Sequence, residues 1–150
     1  MRKRIEEKPM ADTKQSLKLS SNGAMKILQA AMEKANAMGV PQCITIVDAG
    51  AHMLAFCRMD GAFVLSNDSS MKKAVTAAIY GQLTGQMDDN VAIKLAIATD
   101  GKRVNLPGGV PIIVDGHIIG GIGVGSGTGA QDLEVAKAGI AALDGAQAFD

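Results

Sequence analysis

Arg58-Met-Asp-Gly61 places a guanidinium and a carboxylate two residues apart at the end of an apolar run. If that run is a strand, both side chains leave one face, and the arginine could take a carboxylate through two parallel hydrogen bonds. The plainer reading, which the bare sequence favours, is an internal Arg58–Asp60 pair that fixes a loop. His52 and His117 are the two histidines, each at or near a turn. Such an imidazole can ligate haem iron or shuttle a proton, although a turn histidine is more often simply solvated. Lys72-Lys73 would normally be a solvated helix face, whereas a partly buried Lys73 near Asp60 would make an acid/base pair. Gly125-Ser-Gly-Thr-Gly-Ala130 matches G-x-G-x-x-A between an apolar run and a helical stretch. A dinucleotide fold needs a further parallel strand and an acidic residue about 20 positions on, and neither is expected here. What survives is a helix N-terminus at Gly125, Ser126 and Gly127 whose N–H groups could hold a carboxylate or phosphate. The alternative is that these glycines simply permit tight packing. No Ser-His-Asp set, HExxH, Walker A or zinc spacing is present, so spacing alone commits the chain to no enzyme class, and no metal site is expected.

The elements that must position these residues centre on Gly108–Gly129. Pro111–Val114 and Ile118-Ile119 flank Asp115-Gly116, a hairpin signal because a type I′ turn needs positive φ at both central residues. Beyond it the glycines leave a strip of backbone with little side-chain cover, open to close approach by a ligand or another backbone. Before it, Ser20 or Ser21 caps a helix running to about Met38, striped by Ala24, Ile27, Leu28, Ala31, Met32 and Ala35 and stopped by Gly39 and Pro41. Residues 42–47 and 53–59 read as two strands around Gly50, with Cys43 opposite Cys57 as two small buried hydrophobes. A helix is expected from Ser66-Asn67-Asp68 to about Leu83, a short one over 91–98, a loop over 100–109, and a last helix from about Ala130 to Ala148. Residues 1–16 read as a disordered or extended tail and 17–150 as one domain. Adjacent hairpins with helices between them make the class α+β, with a mainly antiparallel sheet.

Composition excludes several partners. Fifteen basic residues balance fifteen acidic ones, which leaves no electrostatic footprint for nucleic acid or an anionic membrane. Aromatic residues are 3% of the chain, with no Trp, too few for base-stacking platforms. The two cysteines lack metal or redox spacing, no apolar run is long enough to span a bilayer, and no signal peptide is visible, so a cytoplasmic location is expected. An Ala- and Gly-rich surface of this kind suits a homo-oligomer.

Val47-Asp48-Ala-Gly-Ala-His52, Arg58-Met-Asp-Gly-Ala62, Lys73-Ala-Val-Thr-Ala77, Gly108-Gly-Val-Pro-Ile-Ile113, Gly120-Gly-Ile-Gly-Val124 and Gln131-Asp132 follow the order typical of the GlcG/HbpS-like family. This so-called haem-degrading domain also forms the C-terminal domain of PduO-type proteins. The resemblance spans about residues 20–148 and suggests a stand-alone member of a glycerol or diol utilisation cluster. It implies a profilin-like α/β/α fold with an antiparallel sheet of about five strands and helices on both faces, the fifth strand falling at 102–106. It further implies higher oligomers, often octamers, and in some members binding or breakdown of haem. Carried over by motif, Asp48, His52, Arg58, Asp60, Lys73, Thr76, Gly108, Gly109 and Asp132 would surround one pocket. Gly50-Ala51-His52-Met53 departs from the family's usual Gly-Gly-His-Leu, Val124-Gly125-Ser126-Gly127 departs from its Val-Ser-Gly elbow, and the first helix offers Met25, Met32 and Met38 but no histidine. The expected function is an oligomeric binding protein for a haem-like tetrapyrrole or corrinoid. Its macrocycle would lie over the glycine strip, with propionates on Arg58 or the last helix and His52, or else His117, as axial ligand. The alternative is a small isomerase or lyase acting on an organic acid, with Arg58 as carboxylate clamp and Asp60 or Lys73 as acid/base. A structural accessory to an enzyme complex is the third reading.

Overall fold

The computed structural model describes residues 11–150. Of the expected tail, residues 1–10 lie outside the described residues, and residues 11–16 carry neither helix nor strand. Helix α1 (Ser21–Met38) begins where the Ser20 hydroxyl accepts the Gly23 N–H at 3.0 Å, one of the first-turn donors a helix cannot satisfy itself. It buries Ala24, Ile27, Leu28, Ala31 and Ala35 and ends at Gly39, whose φ of 69° permits the left-handed cap. Strands β1 (Cys43–Asp48) and β2 (Met53–Arg58) follow, then α2 (Leu65–Tyr80), α3 (Asp89–Ala98), strands β3 (Gly109–Val114) and β4 (His117–Gly125), and α4 (Gly129–Ala141). The sheet order is β2-β1-β4-β3, and every neighbouring pair is antiparallel. Ile44, Ile46, Ile122 and Val124 join α1 and α4 in the larger core, while Val47 packs with Ala74 and Ala78 of α2. Helices therefore cover both faces, in the α+β arrangement expected.

The sheet has four strands rather than about five. Residues 102–106 form no strand because their backbone is satisfied by side chains instead. The Val104 N–H donates to Thr76 Oγ1 at 3.1 Å, Leu106 O accepts from Thr84 Oγ1, and the Asn105 amide pairs with both backbone groups of Met87. The cysteines are also offset. Ile44 faces Cys57 and Cys43 faces Arg58, because a bulge at Ile46/Val47 slips the ladder by one residue, with Leu54 as the extra position of β2. Both thiols are free. The Asp115-Gly116 turn forms as expected, with φ of 49° and 76°. Helix α4 stops at Ala141, short of the expected Ala148, since Gly145 (φ 77°) turns the chain so that Ala146 bridges Val114 and the Gln147 N–H reaches Ile113 O at 2.8 Å. Among the described residues no helix is long and apolar enough to cross a membrane.

Candidate functional site

The expected site residues separate along the sheet. Because Arg58 pairs with Cys43 and Cys43 with Gly125, the Arg58, Asp60 and Gly125–Gly127 group lies at one end. Asp48 and His52 lie at the other, and His117, which begins β4, lies on that side too. The five residue steps of β2 between the ends span about 17 Å.

At the first end, α2 and α4 bring a charge pair inside the protein. Lys73 and Asp132 are 5% and 3% exposed. Lys73 Nζ donates to Asp132 Oδ2 at 2.9 Å and to Val124 O at 2.7 Å. Asp132 Oδ1 accepts the Gly127 N–H at 2.9 Å. With its amide nitrogen turned toward the acceptors, buried Gln42 donates to the same oxygen at 2.8 Å and to Gly125 O at 2.6 Å. Ser126, at a φ of 92°, accepts the Phe63 N–H on Oγ at 3.0 Å. Thr128 and Gln131 complete a reciprocal capping box. The Gly127, Thr128 and Gln131 amides at the head of α4 therefore already have acceptors inside the chain. Gly108, at a φ of 115°, admits this cluster: a Cβ there would stand 2.7 Å from Asp132 Cβ. Gly109 donates its N–H to Thr84 Oγ1 at 2.8 Å.

Lys73 and Asp60 are not brought together. Asp60 lines, with Arg58, Cys57, Met59, Met32 and Pro41, an open cleft of about 440 Å³ between the ends of β2 and α1. Among the described residues the ion pairs between permanently charged side chains are Lys34–Glu134, Asp68–Lys72 and Lys73–Asp132, so the Arg58 guanidinium is not held by Asp60. Beside the cleft, burial pushes the Cys43 thiol up from its ordinary pKa.

At the other end the polar groups face water. Asp48 Oδ1 accepts the N–H groups of Gly50 at 2.9 Å and His52 at 3.0 Å. The hydrogen bond from His52, joined by that from Gly50, holds its carboxyl below the usual range. The same oxygen lies 3.4 Å from His52 Nδ1, and the imidazole is 82% exposed. With the carboxylate beside Nδ1, Nε2 lies on the far side of the exposed ring, where a neutral imidazole can ligate a metal. Lys18, Leu19, Asp48, Ala49, Gly50 and Ile119 line a neighbouring hollow of about 240 Å³. His117 is exposed at the β3–β4 tip. Thr76 belongs to neither end: its hydroxyl donates to Lys72 O at 2.8 Å and receives Val104.

The glycine strip is not an open platform, which corrects the expected seat of a macrocycle. A Cβ on Gly123 would collide with the Ser70 carbonyl and one on Gly121 with the Ala74 carbonyl. What lies against the strip is α2, at backbone contact distance. Sequence reasoning missed the polar partners Gln42, Thr45, Ser70 and Thr84, all buried. A signal existed for Gln42, which alternates with Ile44 and Ile46, and for Ser70-Ala74-Ala78, whose spacing matches a helix face laid on glycines. Thr45 and Ser70 hydroxyls meet at 2.9 Å in that contact.

The family model described as haem degrading protein HbpS-like matches residues 19–141. A 15.0 kDa protein from the dhaT-dhaS intergenic region of Citrobacter freundii is 35% identical over 133 residues, which cover 85% of this chain and 94% of that protein. The corrinoid adenosyltransferase PduO of Salmonella typhimurium is 33% identical over 131 residues, 84% of this chain but 39% of PduO. The crystal structure of the PduOC:heme complex superposes with a TM-score of 0.81 at 31% identity, covering 89% of this chain and 100% of that one.

Proposed function

This chain belongs to the HbpS-like family, and from that premise we propose that it is a homo-oligomeric binding protein for a haem-like tetrapyrrole, haem itself or a corrinoid. The observation that carries the reading is the likeness to the PduOC:heme structure, which takes in the whole of that chain. The geometry favours the hairpin-loop end as the seat. Of the two histidines, His52 has a carboxylate 3.4 Å from Nδ1 and an exposed ring whose other nitrogen could ligate. Lys18, on the neighbouring hollow that Asp48 and Gly50 also line, gives a cation for a propionate. When bound, the macrocycle supplies its metal's ligand-exchange and redox chemistry; the chain supplies the ligand and the counter-charge. Arg58, about 17 Å of strand away, serves a macrocycle at this seat only from a second copy.

The Arg58–Asp60 cleft supports a second reading, a small isomerase or lyase for an organic acid. Its guanidinium, unpaired among the described residues, would clamp a carboxylate and Asp60 would move a proton. Lys73 has no part in that chemistry, because its ammonium is committed to Asp132 and Val124.

A hemin titration at the Soret band tests the first reading, with wild type, His52→Ala, His117→Ala and Arg58→Ala side by side. Saturable binding lost in His52→Ala and kept in His117→Ala is the expected result. Weak, non-saturating binding unaltered by any substitution would overturn it, and saturable binding lost in Arg58→Ala alone would move the seat to the cleft.

A further inference from the structure

Helix α3 is apolar on two sides, and the fold covers one of them. Ala92, Leu95, Ala96 and Thr99, spaced i, i+3, i+4 and i+7, are half-buried and make the inner stripe. Ile93 and Ile97, one turn apart on another side, stand 63% and 74% exposed. No residue of α3 is buried, and among the described residues no other helix or strand packs on it as α1 and α4 pack on each other. A single exposed isoleucine is ordinary. A ten-residue helix, however, is too short to hold in water by its own propensity, and one that is apolar on both sides is normally covered on both.

The charges at its two ends select the cover. Asp88 and Asp89 are exposed at the N-terminal end, and Asp89, one turn before Ile93, continues the exposed stripe. Beyond the C-terminal end Lys102 and Arg103 outweigh Asp100. Two such helices laid parallel would set aspartates against aspartates. Laid antiparallel, each acidic end meets a basic one and the helix dipoles oppose. The stripe is thus complementary to itself, and a chain of zero formal net charge adds no general repulsion between copies. An anionic lipid surface, by contrast, would meet Asp89 on the same stripe. We propose that α3 is a twofold self-docking surface: Ile93 packs beside Ile97 of a second copy, antiparallel, with Asp89 toward the other copy's Lys102. The proposal names a surface for the homo-oligomer of the reading above and does not depend on the tetrapyrrole.

Sedimentation velocity of the hemin-free protein reads the mass of the assembly, so failure here leaves tetrapyrrole binding standing and failure of the hemin titration leaves this contact. The proteins are wild type, Ile93→Glu/Ile97→Glu, Asp89→Lys, Lys102→Glu and Asp89→Lys/Lys102→Glu, at low ionic strength where rim charges are least screened. Wild type is expected to exceed a monomer and the isoleucine variant to have about half its mass, because a twofold contact joins two equivalent parts. Each single charge change breaks the rim contact twice and should weaken that step about fivefold, and the double change, which reverses both ends, should restore it. A monomeric wild type, or an isoleucine variant that keeps the wild-type mass, overturns the proposal. Mass lost in the isoleucine variant without rescue in the double charge variant overturns the antiparallel pairing and gives the stripe to another surface of the second copy. A monomer that floats with phosphatidylcholine vesicles only while Ile93 and Ile97 are intact makes the occupant a lipid surface instead. If the two glutamates disrupt the fold, Ile93→Gln/Ile97→Gln, which keeps helix propensity, decides.

Discussion

The two ends of the sheet carry similar inventories of charge and treat them in opposite ways. At the elbow end, Lys73 and Asp132 are almost wholly buried, and Val124, Gly127 and Gln42 bond to them. At the hairpin-loop end, His52 is exposed and Asp48 holds it by one edge only. A buried pair with satisfied partners is architecture, because neither group can exchange its partner without leaving a charge in a low-dielectric interior. An exposed imidazole with a free nitrogen keeps its options open. The motifs that pointed to one pocket thus serve two tasks, one holding α2, α4 and the elbow together, the other available to a ligand.

Breaking the elbow pair has the largest expected effect. Lys73→Met leaves Asp132 buried and uncompensated and should cost about 3–5 kcal/mol, whereas Lys73→Met with Asp132→Leu should recover a large part of that loss. Thermal or urea unfolding of the two variants checks it. A single variant as stable as wild type would mean that water reaches the pair. Hemin binding by the folded fraction should be unchanged if the ends are separate.

Next comes Gly123→Ala. The added Cβ meets the Ser70 carbonyl of α2, and neither backbone can yield without separating helix from sheet, so a cost of about 1–3 kcal/mol or more is expected. The same substitution should leave the His52 end intact. Loss of hemin affinity in a folded Gly123→Ala protein would break the distinction between the ends and return the macrocycle to the strip.

That strip shows where the sequence was readable and where it was not. The run of glycines announced close approach correctly, and Asp115-Gly116 gave the hairpin outright, because both depend on local backbone freedom. What approaches Gly123 depends on Ser70 and Ala74, over forty residues away, and spacing along the chain carries no such pairing. Lys73 and Asp132 were singled out individually but not as partners, for the same reason. The missing fifth strand was a competition: Thr76, Thr84 and Met87 capture the 104–106 segment before any ladder can. Leu54's bulge, which displaced Cys57 from Cys43, is a one-residue event that alternation cannot register.

The smallest effect sharpens the contrast from the exposed end. Asp48 is ionised more readily in the folded chain than in the unfolded one, since the His52 and Gly50 amides bond to its carboxylate. A carboxyl whose folded pKa is lowered contributes stability that is fully present above the unfolded value and is lost as pH falls through the folded one. Asp48→Asn should therefore be less stable than wild type near neutrality, with the difference shrinking as the solution is acidified below the ordinary carboxylate range. Its side chain is 35% exposed, so salt and solvent screen the interaction and the neutral-pH difference should fall well short of the loss in Lys73→Met. Unfolding curves for both proteins across that range read it directly. A difference that stays constant with pH would show that the loop is held by the shape of the side chain rather than its charge, and the outward nitrogen of His52 would then need another reason to be where it is.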